Sequence, residues 1–215
     1  MQDRIRGLIQ SAAVLGLIGL SGATMAFAET APVKTIDPGH SLAGNYLAAR
    51  IAATDKDTES ASVFFRKAML LDRENIELKQ RAFQTFIANG DFDDGVALGG
   101  ELSKAGQAPE MVRIILGVNH IRGKAWSSAE KELSSEWRSA LDRLVAGLVL
   151  GWAQAGEGKS EEALETVDAL SGPAWFDLFV QYHGGLLALH KGDSAGGIAR
   201  LEKAFANKAA GQAAN

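Results

Sequence analysis

The sequence of 215 residues contains no cysteine. A disulfide, a thiolate metal site and a lipid-modified cysteine are therefore excluded. Basic residues are not in excess either, because 22 lysines and arginines are set against 26 acidic residues and the formal net charge is −4. Binding of nucleic acid needs a basic face that contacts the phosphates. The composition therefore gives no basis for a nucleic-acid partner.

The N-terminal segment lacks a hydrophobic run long enough to cross a membrane. Its apolar stretch AAVLGLIGL covers residues 12–20, whereas a membrane-spanning helix needs about 20 apolar residues. Arg4 and Arg6 precede this stretch, and the small-x-small tripeptide AFA follows at 26–28. This order is typical of a secretory signal peptide. We therefore expect cleavage before Glu29, release into a bacterial periplasm and no stable membrane insertion. An inner-membrane anchor formed by an uncleaved segment is the alternative.

A constant spacing of 34 residues runs through the rest of the chain. Small residues recur at this spacing: Ala61, Gly95, Ala129, Ala163 and Gly197. Four residues after each of them the side chain is apolar in four of five cases: Phe65, Gly99, Leu133, Val167 and Leu201. Five residues before each of them lies an expected turn: Lys56, Gly90, Lys124, Gly158 and Gly192. A fixed period without insertions indicates repeated copies of one structural unit. Between residues 148 and 170, Gly151 and Ala163 are small residues on two predicted antiparallel helices, and such a facing pair permits close approach of the two backbones.

These motifs resemble those of the tetratricopeptide repeat family. The Leu-Gly pairs at 116–117 and 150–151 match its first helix, and Ala61, Phe65 and Ala68 match its second-helix pattern. The resemblance covers roughly residues 42–205. It implies an all-α fold, a right-handed superhelix of about five antiparallel helix pairs. It also implies a scaffold that binds a protein or peptide in a concave groove lined by the first helix of each pair.

The pattern of apolar and capping residues predicts the organisation of the chain. We expect a signal peptide at 1–28, a linker at 29–41, a repeat domain at 42–208 and a disordered tail at 209–215. The repeats are predicted at 42–75, 76–109, 110–143, 144–177 and 178–208. First helices are predicted at 42–54, 76–89, 109–123, 139–156 and 175–191. Second helices are predicted at 58–71, 92–104, 126–135, 160–171 and 194–208.

Side-chain caps and glycines distinguish the second helices. Four of these helices are predicted to begin with a cap: Thr58, Asp91, Ser160 and Asp193. The second repeat is expected to be weak, because its second helix contains Gly95, Gly99 and Gly100, and each interior glycine costs about 1 kcal/mol relative to alanine. If Gly99 leaves a gap, a Gly99→Leu change should be stabilising.

Three patterns of the kind used by enzymes have simpler explanations. The segment AQAGEGKS at 153–160 matches a relaxed phosphate loop, but such a loop follows a strand and a helix is expected here. The acidic group at 91–94 lacks the glutamate that a calcium loop needs at its twelfth position. His183 and His190 lie two helical turns apart, about 10 Å. We find no nucleophile with a base and an orienting group, and predict no enzyme, no cofactor and no metal.

The predicted groove becomes apolar from the third repeat onward. The partner-binding residues of this hypothesis are Ile114, Val118, Ile121, Leu148, Trp152, Tyr182, Leu186 and Leu189. Neighbouring repeats could equally bury this surface, because an apolar pattern alone does not separate a groove from a core. The prediction is a periplasmic interaction scaffold. The alternative is a structural or oligomerising subunit of an envelope complex that self-associates through this apolar face.

The end of the array is expected to be uncovered. Stacked repeats need a polar cap over the last apolar face, and after Glu202 only KAFANKAAGQAAN remains. The sequence therefore predicts either a truncated member of a longer array or a partner at this end.

Overall fold

A computed structural model describes residues 38–213, with side chains as far as residue 206. The predicted signal peptide, the linker up to residue 37 and the last two residues lie outside this range. The regular structure of the described residues consists of ten α-helices without a strand. They are α1 Leu42–Thr54, α2 Thr58–Leu71, α3 Ile76–Asn89, α4 Phe92–Lys104, α5 Glu110–Arg122, α6 Trp126–Leu133, α7 Ala140–Glu157, α8 Ser160–Asp168, α9 Phe176–Lys191 and α10 Ser194–Ala213.

The helices pack as five successive pairs, and each pair packs on the next. This confirms the predicted all-α array of five helix pairs. The bounds of α1 to α4 coincide with the prediction, whereas α8 ends at Asp168 because Gly172 and Pro173 follow and disfavour a longer helix. The final helix α10 continues to Ala213, so the tail predicted as disordered over 209–215 is helical through residue 213. This stretch is rich in alanine, the best helix former.

Two of the four predicted caps are displaced by one residue. Thr58 and Ser160 are the first helical residues, and Asp57 and Lys159 occupy the cap positions. Asp57 accepts a hydrogen bond from the Ser60 backbone amide at 3.0 Å. Asp193 caps α10 as predicted, accepting from the Gly196 amide at 2.9 Å.

Asp91 precedes α4, but its side chain makes no capping bond. Its carboxylate instead accepts hydrogen bonds from Ser62, from Asn89 at 3.1 Å and from Arg66 at 2.8 Å. These bonds, with the Ser62 bond contributing most, lower the pKa of Asp91. Asp91 therefore occupies the predicted cap position of α4, but its carboxylate ties the first repeat to the second instead of capping the helix.

The five turn positions share a left-handed backbone conformation. Gly90, Gly158 and Gly192 have φ values of 86°, 95° and 97°. Lys56 and Lys124 adopt φ values of 62° and 56° at the two equivalent positions. A side chain is disfavoured in this conformation by about 1–2 kcal/mol, so both lysines hold strained backbone.

Lys124→Gly should therefore raise the free energy of unfolding by about 1 kcal/mol. The gain is smaller than the full conformational penalty because glycine also increases the entropy of the unfolded chain. Gly158→Lys is the matched reverse change and should lower stability by a similar amount. Urea unfolding of both variants checks the pair. Equal midpoints for Lys124→Gly and the unchanged protein would contradict the interpretation.

Close approach of paired helices occurs where the sequence places small residues. A Cβ atom added at Gly151 of α7 would lie 2.7 Å from Val167 Cγ2 and 3.2 Å from the Ala163 carbonyl oxygen of α8. In the last pair, a Cβ atom added at Gly185 would lie 3.0 Å from the Gly197 carbonyl oxygen, and one added at Gly197 would lie 3.0 Å from the Gly185 carbonyl oxygen. The predicted contact between Gly151 and Ala163 is therefore present, and the Ala163 backbone lies directly against Gly151.

Gly99 of α4 does not leave a gap. Gly99 is buried, and a Cβ added there would lie 3.1 Å from Val112 and 3.3 Å from the Phe83 ring. The suggestion that Gly99→Leu fills a void is therefore wrong, because Phe83 and Val112 already occupy the space. The largest side chains of the first buried cluster are those of Phe65, Phe83 and Phe86.

The first helices of the last three repeats lie closer together than their second helices, which is the packing expected to curve the array. The first helix α7 packs directly on both α5 and α9. Second helices of successive repeats are bridged by long ionic side chains: Arg66 of α2 bonds Asp94 of α4 at 2.6 Å, and Arg200 of α10 bonds Asp168 of α8 at 2.6 Å. We call the inner side, lined by first helices, the concave face.

Among the described helices, none is both long and apolar enough to cross a membrane.

Candidate interaction surfaces

Two of the eight predicted groove residues belong to the core. Ile114 and Leu148 are 6% and 7% exposed and lie in separate buried clusters. Their side chains offer no surface to a partner, so their assignment to the groove is wrong. The alternative, that neighbouring repeats bury this surface, holds at these two positions.

The 34-residue spacing explains why Ile114 and Leu148 are buried while Tyr182 is exposed. Ile114, Leu148 and Tyr182 occupy equivalent positions on α5, α7 and α9. The next first helix covers α5 and α7, whereas the described residues include no further first helix after α9, and Tyr182 is 41% exposed. The same position is therefore core inside the array and surface at its end.

The other predicted residues keep some exposure. Val118, Ile121, Trp152 and Leu186 are half-buried, and Leu189 is 38% exposed. Ile121 packs against the cluster that contains Ile114, and Trp152 packs against the cluster that contains Leu148. The structure thus brings exposed predicted residues together only on α9.

An apolar stripe runs along α9 and the residue before it. Its members follow helical spacing and lie on one face: Trp175, Phe179, Tyr182, Leu186 and Leu189. Four of the five are exposed large hydrophobic residues. We call this surface the α9 stripe. Two of its three aromatic members, Trp175 and Phe179, lie edge to face with ring centroids 6.1 Å apart.

Trp152 connects α7 to α9 through a histidine. Its indole Nε1–H donates to His183 Nδ1 at 3.0 Å. Because an indole nitrogen only donates, His183 must accept through an unprotonated Nδ1 and is therefore neutral. Burial lowers the pKa of His183 below its ordinary value, which favours this neutral form.

Acidification should break the bond between Trp152 and His183. A histidine of the unfolded chain titrates near pH 6.5, above the lowered pKa of the folded state. Stability linked to His183 is thus fully present above about pH 6.5 and is lost as the pH falls through the folded pKa. We expect the Trp152 indole NMR resonance to shift over the same range.

His183→Gln keeps an acceptor for the indole but does not titrate, so it should flatten both changes. His120→Gln is the matched control on α5 and should leave the Trp152 shift intact. A shift of the Trp152 resonance that persists in His183→Gln would show that another group causes it.

A polar cavity lies between α1 and α3, the first helices of the first two repeats. It has a volume of about 230 Å³ and is lined by Arg50, Ala53, Thr54, Phe65, Arg81, Gln84 and Thr85. Arg81 also pairs with Glu77 at 2.9 Å, and the Arg50 guanidinium lies 6.0 Å from the Tyr46 ring centroid. We call this site the Arg50–Arg81 cavity.

The 34-residue spacing does not predict this cavity. The two arginines are 31 residues apart, so they do not share a position in the 34-residue repeat. The difference of three residues is close to one helical turn, and this offset places both side chains on one cavity. A search for basic residues near, rather than at, the repeat spacing would have found the pair.

The remaining candidate motifs are structural. At the phosphate-loop match, helix α7 runs to Glu157 and Gly158 forms the left-handed turn before α8, so no strand precedes the loop. Lys159 bonds Glu157 at 3.0 Å. In the part of the chain that the structure describes, no group of three or more acidic or histidine side chains is placed to hold a metal ion.

No protein-family model matches the sequence, and no curated protein is detectably similar to it. Solved structures do match the fold. Residues 41 to the end of MamA from Desulfovibrio magneticus RS-1 align with a TM-score of 0.64 and 15% identity, over 81% of this chain and 98% of MamA. YrrB, a tetratricopeptide repeat protein with an unusual peptide-binding site, aligns with a TM-score of 0.58 and 18% identity, over 77% of this chain and 85% of YrrB. The chain therefore has the tetratricopeptide repeat fold.

Proposed function

We propose that this protein is a periplasmic interaction scaffold that holds a peptide or a short helix on its concave face. The Arg50–Arg81 cavity carries this proposal, because two arginines from consecutive first helices line one open site. Guanidinium groups bind carboxylates with two parallel hydrogen bonds, which gives both affinity and orientation. The fold shared with YrrB supports binding of a peptide.

The chemistry of the concave face defines the ligand. Gln84 lies beside the two arginines in the cavity, and an amide group can both donate and accept hydrogen bonds. Farther along the face, the half-buried Val118 and Ile121 of α5 offer apolar contact. A fitting ligand is a peptide with an acidic residue or a terminal carboxylate at one end and apolar residues toward the other.

Site-specific photo-crosslinking tests this surface. A photoreactive amino acid replaces Gln84 in the cavity, and a matched one replaces Lys131, an exposed residue of the second helix α6. We expect a discrete protein adduct from position 84 only, and its loss when Arg50→Ala and Arg81→Ala are combined. Equal adducts from both positions, or an adduct that survives the double change, would refute binding at the cavity.

The periplasmic location rests on the order of basic, apolar and small residues in the first 28 residues. Expression of the whole chain in a bacterium with two membranes tests it by osmotic-shock fractionation and mass spectrometry. We expect the released protein to begin at Glu29. An intact N-terminus that is extracted only by detergent would instead establish the anchored alternative.

A further inference from the structure

The outer side of α1 is an apolar surface without a covering helix among the described residues. Leu47 and Ile51 are 59% and 55% exposed, and Gly44 lies one turn before them on the same side. A cavity of about 310 Å³ opens between Leu47, Arg50, Ile51, Thr54 and Asp55. We call Gly44, Leu47 and Ile51 the α1 face.

The positions equivalent to Gly44 and Ile51 on the other first helices are packed. The position of Gly44 recurs, at 34-residue steps, as four buried residues: Leu78, Val112, Ala146 and Val180. The position of Ile51 recurs as the buried Thr85, Ala153 and Leu187 and the half-buried Asn119.

These equivalent residues pack on the preceding repeat. A Cβ atom added at Gly99 of α4 would lie 3.1 Å from the Val112 side chain. A Cβ atom added at Gly151 of α7 would lie 3.7 Å from the Leu187 side chain. The α1 face is therefore a repeat-stacking surface that no preceding repeat covers among the residues that the structure describes.

The opposite end of the array carries the complementary surface. Within the α9 stripe, Tyr182 is equivalent to the buried Ile114 and Leu148, which the following first helix covers. Leu189 is equivalent to the buried Ala155. Ile198 of α10 is exposed, whereas the equivalent Leu164 of α8 packs against a buried cluster.

We propose that copies of this chain stack head to tail, with the α1 face of one copy on the α9 stripe and Ile198 of the next. A second copy is the occupant because one chain carries both halves of the interface that joins its own repeats. The contact continues the spacing of the four internal repeat interfaces. Such an interface joins two different surfaces, so it produces a ring or an open filament rather than a closed dimer.

Sedimentation velocity of the full secreted chain tests this arrangement with two double variants. Leu47→Glu with Ile51→Glu blocks the α1 face, and Tyr182→Glu with Ile198→Glu blocks the α9 end. Leu70→Glu is the matched control, because Leu70 is as exposed as Leu47 but lies on the second helix α2. Circular dichroism confirms that each variant keeps its helices, and glutamine replaces glutamate where one does not.

We expect the unchanged protein and Leu70→Glu to form species larger than a dimer as concentration rises. Each double variant alone should remain monomeric. An equal mixture of the two should form dimers and stop there, because each dimer retains a single intact interface. An unchanged protein that stays monomeric at its highest soluble concentration would overturn the proposal. It would also fail if the mixture stays monomeric, or if either double variant assembles like the unchanged protein.

Discussion

Phe83→Ala should lower the free energy of unfolding by about 3–5 kcal/mol, the range for truncating a buried aromatic residue. The Phe83 ring is fully buried in the cluster that also contains Phe65 and Phe86. The ring lies against Gly99 of α4, where an added Cβ atom would be 3.3 Å from it. Loss of the ring therefore empties the space between the two helices of the second repeat.

The damage should be concentrated in the first two repeats, because stacked repeats contact only their neighbours. Hydrogen exchange should accelerate most in α3 and α4 and least in α9. Gln84→Ala, at the adjacent exposed position, is the matched control and should change stability little. A uniform increase in exchange along all ten helices would show that the array unfolds as one unit and would contradict this locality.

Gly151→Leu should destabilise the array by about 1–3 kcal/mol or more through overpacking. The added side chain meets Val167 and the backbone oxygen of Ala163. Backbone yields less easily than the end of a flexible side chain, so α7 and α8 must separate. The change should therefore also expose Val167, which is fully buried in the native protein.

Gly100→Leu is the matched control for this prediction. Gly100 is also helical, but an added Cβ there meets nothing within 4 Å, so leucine should stabilise α4 by up to about 1 kcal/mol through helix propensity. Urea unfolding of the two variants should thus give changes of opposite sign. If Gly151→Leu is neutral, the close approach of α7 and α8 does not constrain the fold.

Local features of the sequence predicted the fold well because they depend on local physics. Gly151 and Ala163 were recognised as a close helix contact since only small residues permit one. The turn positions were found at Lys56 and Lys124 as well as at the glycines, because the repeat spacing identifies a turn even where the residue type does not favour it. The displaced caps show the limit of this reasoning, since Asp57 and Thr58 are both good capping residues and backbone geometry decides between them.

The surfaces were harder to predict because exposure depends on what lies next in the array. Leu148 and Tyr182 occupy equivalent positions and both suit an apolar groove, yet one is core and the other is surface. No property of either residue encodes that difference, which arises from the presence or absence of a following first helix. The Arg50–Arg81 cavity was missed for a related reason, because its two arginines come from different positions of neighbouring repeats.

Single-cysteine labelling tests most directly the central claim that one repeat position is core inside the array and binding surface at its end. The chain has no cysteine of its own, so Ile114→Cys, Leu148→Cys and Tyr182→Cys each introduce the only thiol. At a concentration where the protein is monomeric, we expect Tyr182→Cys to react rapidly with a thiol reagent. Ile114→Cys and Leu148→Cys should react slowly, through local opening. Equal rapid labelling at all three positions would contradict the account.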